Sequence, residues 1–302
     1  MRRVLSRLRS PFTTLTRDAL TPVAFATSRP TASLAQPSSG GAVTLITSRP
    51  PRSPTISARA ARGRTRTATS TELVSVLSIA SAIISQVLRQ LLAPVNTGAA
   101  CSLGLARTLA EAAGVALTFD DGPHPEGTPA MLEILARAGH KAAFFLVGEQ
   151  VRRRPDLVRE IRAQGHLIAL HGDRHRLQLR LTAGQLTDDL ERGRAAIEDA
   201  AGSAVAWHRP PYGIYSTAGL RAARRAGLQP LLWSRWGKDW RRLTTPQRIA
   251  ARATGDLGPG DVILLHDADF YSARGSHRRT AAALELIVAE LAAREIGTVL
   301  PV

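Results

Sequence analysis

The chain has little of several things, and each shortage excludes something. There is one cysteine, Cys101, in 302 residues. An intramolecular disulfide is therefore ruled out, and cysteine usage says nothing about the redox compartment. Lysine occurs twice, at Lys141 and Lys238, among 40 basic residues. So heavy a bias to arginine reads as coding composition rather than phosphate recognition. Acid is nearly missing from residues 1–70, where twelve arginines face only Asp18 and give +11 of the formal net charge of +16. The extreme pI therefore belongs mostly to one segment. Residues 71–114 balance to zero, and 115–302 carry the remaining +5.

Residues 1–71 are rich in Arg, Ser, Thr and Pro and show no sustained periodicity. Too little apolar surface is available there to offset chain entropy, so disorder is expected. Three readings stand side by side for this segment: a solvated basic tail, residues ahead of the functional start, or a binder of anionic membrane or nucleic acid. Its composition also has the character of an organellar transit peptide, and no clear cleavable signal peptide is seen. Location is thus left between cytoplasm and a membrane-associated or cell-envelope setting.

A long hydrophobic run is missing too. From Leu73 the uninterrupted apolar stretch ends by Val87 or Leu88, short of the ~20 residues that cross a bilayer. Ser75, Ser78, Ser81 and Ser85 recur at helical spacing, with Gln86 and Arg89 close by. Residues 72–114 therefore read as an amphipathic helical segment or linker. Residues 72–93 would pack on the domain or associate weakly with a membrane surface. A signal-anchor stays open because a basic segment precedes the helix. Cys101 is not read as a lipid attachment site, since no large apolar residue stands three positions before it.

From Val115 short apolar runs alternate with helical stretches. Strands are expected at 115–119, 142–147, 167–170, 205–207, 228–233, 262–265 and 296–300, and helices at about 128–139, 155–164, 182–200, 217–226, 246–255 and 278–293. Thr182 and Thr245 suit N-caps, and Gly139, Gly165 and Gly227 suit stops. This alternation predicts an α/β fold with a parallel sheet, and seven strands are too few for a complete eight-fold barrel.

The densest chemistry begins at Thr118-Phe119-Asp120-Asp121-Gly122-Pro123, followed by His171 and His175. Adjacent strand residues face opposite ways, so the two carboxylates serve different faces unless the turn gathers them. Asp-Asp-Gly alone is a common turn. Joined to two histidines four residues apart, it offers one carboxylate and two imidazoles, a ligand set that leaves open positions on a divalent metal.

Three further motifs follow in order: His208-Arg209-Pro210-Pro211-Tyr212-Gly213, then Trp233 to Trp240, then Gly258 to Asp267. With these the chain resembles the polysaccharide deacetylase family, the NodB-homology carbohydrate esterases, over residues 115–302. The resemblance implies a distorted, incomplete (β/α) barrel of about seven parallel strands with its site at the strands' C-terminal ends. It implies a metal-dependent hydrolase of N-acetylated carbohydrate, with O-acetyl esters also within reach of the same machinery. Asp121, His171 and His175 would hold the metal, zinc by default, with cobalt, nickel or iron open. Asp120 would be the base on metal-activated water, held by Arg209, and the Tyr212 N–H would receive the oxyanion. His266 would be the acid, with its charge supported by Asp239, or by Asp267 as second choice. Trp236, Trp240 and Leu265 are expected to line a pocket for the acetyl methyl or a sugar face, although a tryptophan cluster is more often plain core.

Two positions depart from the family pattern. Gly172 stands where a Ser or Thr usually follows the first histidine, and Asp173 and Arg174 are candidates to take over part of its work. Trp236 stands where a second aspartate is common. A rival reading is a carbohydrate-binding protein on a weakened catalytic scaffold. Intact Asp120, Asp121, His171, His175, Arg209 and His266 speak against it. The partner expected is an acetylated glycan, with no nucleic acid for the catalytic domain and no indication of oligomeric state.

Overall fold

The computed structural model describes residues 70–301. The disorder expected for the basic segment up to residue 71 falls almost entirely outside them. Two helices come first, α1 (Ser70–Leu92) and α2 (Thr97–Ser102). Then strands and helices alternate: β1 (Ala116–Asp120), α3 (Gly127–Ala138), β2 (Ala142–Leu146), α4 (Gly148–Arg153), α5 (Pro155–Ala163), β3 (Leu167–Leu170), α6 (Ala183–Ala201), β4 (Trp207–His208), α7 (Thr217–Arg225), β5 (Gln229–Pro230), β6 (Arg235–Trp236), α8 (Pro246–Thr254), β7 (Val262–His266) and α9 (Ser276–Ala293).

The seven strands form one parallel sheet in the order β5-β4-β3-β2-β1-β7-β6. The edge strands β5 and β6 do not pair with each other, so the barrel is incomplete, as expected. Strands β1 and β2 are buried along their whole length. This explains the unbroken apolar sequence of β2, since a parallel strand covered on both faces has no polar side to alternate, whereas β1 carries Thr118 and Asp120, which bond to Arg209. The register places Asp120 beside His266 and Leu170 beside His208, which gathers the motif residues at one end of the sheet.

The local signals mostly act where they stand. Thr182 accepts from the Gln185 N–H in a reciprocal capping box, and Thr245 accepts from Arg248. Gly139, Gly165 and Gly227 end their helices with φ of 69°, 76° and 73°.

Two of the expected strands differ from the structure. Residues 296–300 form only an isolated bridge between Thr298 and Val115, with Val299 N–H donating to Val115 O. Strand β1 already has a partner on each side, so the last residues reach it only at its entrance. The sheet's seventh member is instead β6, two residues long, between two tryptophans. Of the strand expected over 228–233, only Gln229–Pro230 pairs with β4 as a strand; beyond it the Leu231 N–H still donates to His208 O, and Leu231 and Leu232 turn to Ala106. Within the 72–114 segment, between α2 and β1, Leu105 is buried, and Ala106 and Thr108 bridge to Leu231 and Asp261.

Candidate active site

The pocket lies at the C-terminal ends of the strands, has a volume of about 290 Å³, and is lined among others by Asp120, Asp121, His171, His175 and His266. Asp121 explains how neighbouring carboxylates reach one cavity. Its φ of 83° turns it out of strand alternation just where β1 ends. Gly122 must follow, because a Cβ there would collide with the Asp267 carboxylate.

Asp121 Oδ1 lies 3.5 Å from His171 Nε2 and 3.4 Å from His175 Nε2. It is buried with no hydrogen-bond partner. His171 Nδ1–H donates to Arg209 O at 2.8 Å, which leaves the Nε2 lone pair facing Asp121. Burial first, and then the Arg209 charge, lower the His171 pKa to about 3. Burial and then His171 lower that of His175 to about 3. Burial pushes the Asp121 carboxyl up to about 7. Two neutral imidazoles facing an orphaned buried carboxylate oxygen, with all three ligand atoms within 4.8 Å of one another, suit a divalent cation.

A second trio, His124, Asp269 and His277, is equally compact but chemically different. His124 Nδ1 accepts from Gly127 N–H at 2.9 Å and Glu126 N–H at 3.2 Å. Its Nε2 therefore carries the proton and points at Asp269, 3.2 Å away. A neutral imidazole in that tautomer has no lone pair left for a metal. Asp269 also accepts from Gly275 N–H, so this cluster fixes the loop carrying Phe270 and Tyr271.

Asp120 pairs with Arg209 Nη1 at 2.7 Å, both side chains being buried. The guanidinium also donates to Thr118 Oγ1 and to the Leu231 and Leu232 carbonyls, and lies 3.9 Å over the Phe145 ring. Burial raises the proton affinity of Asp120, and Arg209 works against that rise. Across the β1–β7 pair, His266 Nδ1–H donates to Asp239 Oδ1 at 2.9 Å. Asp239 is anchored in turn by the His266 N–H and the Thr280 hydroxyl. Burial disfavours the imidazolium, yet the Asp239 charge and hydrogen bond prevail and hold His266 at about 10. Asp267 is not this partner, because its carboxylate takes the Thr128 hydroxyl instead.

Tyr212 has φ of 64° in the 3₁₀ turn Pro211–Gly213. The next N–H, that of Gly213, closes onto Pro210 O, and the Tyr212 N–H has no acceptor among the described residues. Trp236 and Trp240 stack 4.6 Å apart, and both line the pocket with Trp233. Leu265 does not line it, contrary to expectation. Alternation along β7 puts Leu264 on the His266 side, whereas Leu265 is buried against Gly237 and Ile249 on the other face.

Sequence reasoning missed Tyr271, whose ring stacks on His175 at 4.2 Å and 9°, with its hydroxyl on Glu149. No motif announced it, because only the folding of the loop brings it over the histidine. Gly172 adopts φ of 88°, and a Cβ there would lie 2.9 Å from Asp189 Oδ2. That carboxylate accepts the Asp173 N–H, while the Asp173 side chain pairs with Arg152 and Arg192. Asp173 and Asp189 thus brace the loop between the histidines without a hydroxyl at 172. Gly172→Ser is expected to lower unfolding free energy by about 1–3 kcal/mol, the usual range for forced backbone strain. Denaturant unfolding checks this, and an unchanged midpoint would mean that the loop relaxes.

The pocket thus sets two acid–base pairs, Asp120–Arg209 and His266–Asp239, on either side of three residues that could hold a cation. Residues 110–231 match the polysaccharide deacetylase family. A chitooligosaccharide deacetylase from Azorhizobium caulinodans is 34% identical over 198 residues, covering 63% of this chain and 93% of that one. A peptidoglycan-N-acetylglucosamine deacetylase from Bacillus cereus is 34% identical over 180 residues, covering 59% and 81%. Among solved structures, a peptidoglycan N-acetylglucosamine deacetylase superposes with a TM-score of 0.60 at 29% identity, covering 65% of this chain and 89% of that one. A family 4 carbohydrate esterase from Streptomyces lividans gives 0.56 at 29% identity, covering 63% and 93%. The chain belongs to the polysaccharide deacetylase family, and it is a hydrolase of N-acetyl amide bonds.

Proposed function

We propose that this pocket removes acetyl groups from N-acetylated amino-sugar chains by metal-assisted hydrolysis. What supports the reading most is the placement of two opposed pairs, Asp120–Arg209 and His266–Asp239, on either side of the Asp121–His171–His175 set. A divalent cation held by those three residues would polarise water and the acetyl carbonyl. Zinc is our choice for a two-nitrogen, one-oxygen set, ahead of cobalt, nickel or iron.

The remaining work falls to the chain's own groups. Asp120 takes the proton of the attacking water, and Arg209 keeps it ionised and aimed. The Tyr212 N–H faces the developing oxyanion from a turn stiffened by Pro210 and Pro211. His266, charged through Asp239, gives its proton to the departing amine. The three tryptophans and Leu264 offer an apolar wall to the acetyl methyl and the flat face of a sugar ring. Relatives named for chitooligosaccharide and peptidoglycan substrates favour N-acetylglucosamine units.

Acetate release from chitin oligomers and peptidoglycan fragments, with chelator and with added metals, tests the reading. Release that chelator abolishes and zinc restores is expected, and release indifferent to chelator would refute it. His171→Ala or His175→Ala should lose both metal and activity. Full metal occupancy in either variant, by elemental analysis, would remove that residue from the ligand set.

The pH dependence has a definite sign. Asp120 must be ionised, so activity rises as pH climbs through its raised pKa. His266 must be protonated, so activity falls as pH passes about 10. Asp239→Asn should move the descending limb down by roughly 1–3 pH units, the effect of one adjacent opposite charge. An unmoved limb would assign it to another group.

A further inference from the structure

Helix α1 exposes apolar side chains on most of its circumference. Val76, Ile79, Ile83 and Val87 make one stripe, and Leu77, Ile84, Leu88 and Leu91 an adjoining one. Leu77 is 69% exposed and Ile79 60%. Ser78, Ser85 and Arg89 occupy the opposite face. Among its described side chains, those of α1 that bond to the fold or are buried lie at its C-terminal end. Gln90 Nε2–H donates to Thr217 Oγ1 at 2.7 Å, Gln86 reaches the same hydroxyl, and Ala93 is buried.

The stripe through Gln86 and Gln90 runs back, at helical spacing, to Ile83 and Ile79. Over the domain this stripe is amide, and beyond the domain's edge it is isoleucine. A face that turns apolar where protein cover ends is built to meet another apolar medium.

We propose that α1 docks the domain onto an anionic lipid bilayer, lying in the plane of the interface rather than crossing it. Charge names the occupant. The sixty-nine residues leading into α1 carry twelve arginines and one acid, a composition attracted to anionic headgroups and unsuited to burial against a second copy of itself. Length sets the geometry. Because the helix is held against the domain from Gln86 on, the part of α1 ahead of that anchor is Ser70–Ser85, ~24 Å of helix against a hydrocarbon core of ~30 Å. Pro94, just beyond the helix, lies against Gly213 in the pocket wall. Docking would therefore hold the pocket beside the lipid surface.

The test is flotation of the full chain with phosphatidylglycerol-containing vesicles and with pure phosphatidylcholine vesicles. Flotation with the anionic vesicles, weakened by high salt, is expected. Ile83→Glu and Leu77→Glu should each reduce partitioning roughly tenfold or more, with acetate release from a soluble substrate unchanged. Parent protein that stays unbound at every lipid composition, or an Ile83→Glu variant that floats like the parent, overturns the proposal. So does a lipid-free dimer that Ile83→Glu dissociates, since the occupant is then a second copy. Resistance to alkaline carbonate extraction would overturn the in-plane geometry.

Discussion

Asp120→Asn is expected to lower kcat by roughly 10²–10⁴, the usual worth of a positioned general base, while metal content stays near that of the parent. Shape and the Arg209 contact survive the change, because the amide oxygen still accepts from the guanidinium at the position Asp120 Oδ1 now holds. Only basicity is lost. Asp120 lies outside the three-donor set, with its nearer oxygen 3.8 Å from His171 Nε2, so cation affinity has little reason to change. Asp121→Asn should do the reverse and lose metal first, with added metal restoring part of the rate. Elemental analysis alongside kcat separates the two residues. If Asp120→Asn empties the site and Asp121→Asn does not, their roles are exchanged.

Arg209→Met should be costly to stability and activity together. The guanidinium is fully buried and bonds to Asp120, Thr118 and two main-chain carbonyls. Removing one partner of such a pair leaves an uncompensated buried charge, at about 3–5 kcal/mol. Denaturant unfolding should register that loss. The stranded Asp120 should bind its proton more tightly and move the rising limb of the pH profile upward. Arg209→Lys keeps the charge but loses the planar fork that reaches Leu231 and Leu232 carbonyls at once, so it should recover only part of either quantity. A fully stable Arg209→Met variant would mean that water enters to solvate Asp120.

The chain announces its chemistry more clearly than its architecture. Asp120, Asp121, His171 and His175 are legible because metal and proton chemistry restricts residue type at fixed spacing. The helices were legible as well, since capping residues and terminal glycines act locally. What escaped depends on encounters between distant segments. Strand β6 is two residues whose only qualification is the neighbour they find in β7, and residues 296–300 look like a strand but find β1 already paired. Tyr271 meets His175 from a loop that the His124–Asp269 contact, among others, ties down. Leu265 was misplaced for a simpler reason: strand alternation, counted back from His266, selects Leu264.

The cross-strand register of Asp120 with His266 has a consequence for how this site can change. Neighbouring parallel strands sit ~4.8 Å apart, and both residues belong to a ladder rather than to a loop. The sheet acts as a fixed gauge for the spacing between proton acceptor and proton donor. Tyr212, Trp240 and Tyr271 stand outside that gauge on connecting segments, which tolerate insertion and drift. Lengthening those segments would alter which sugar chain fits, yet leave the distance over which protons are handled untouched.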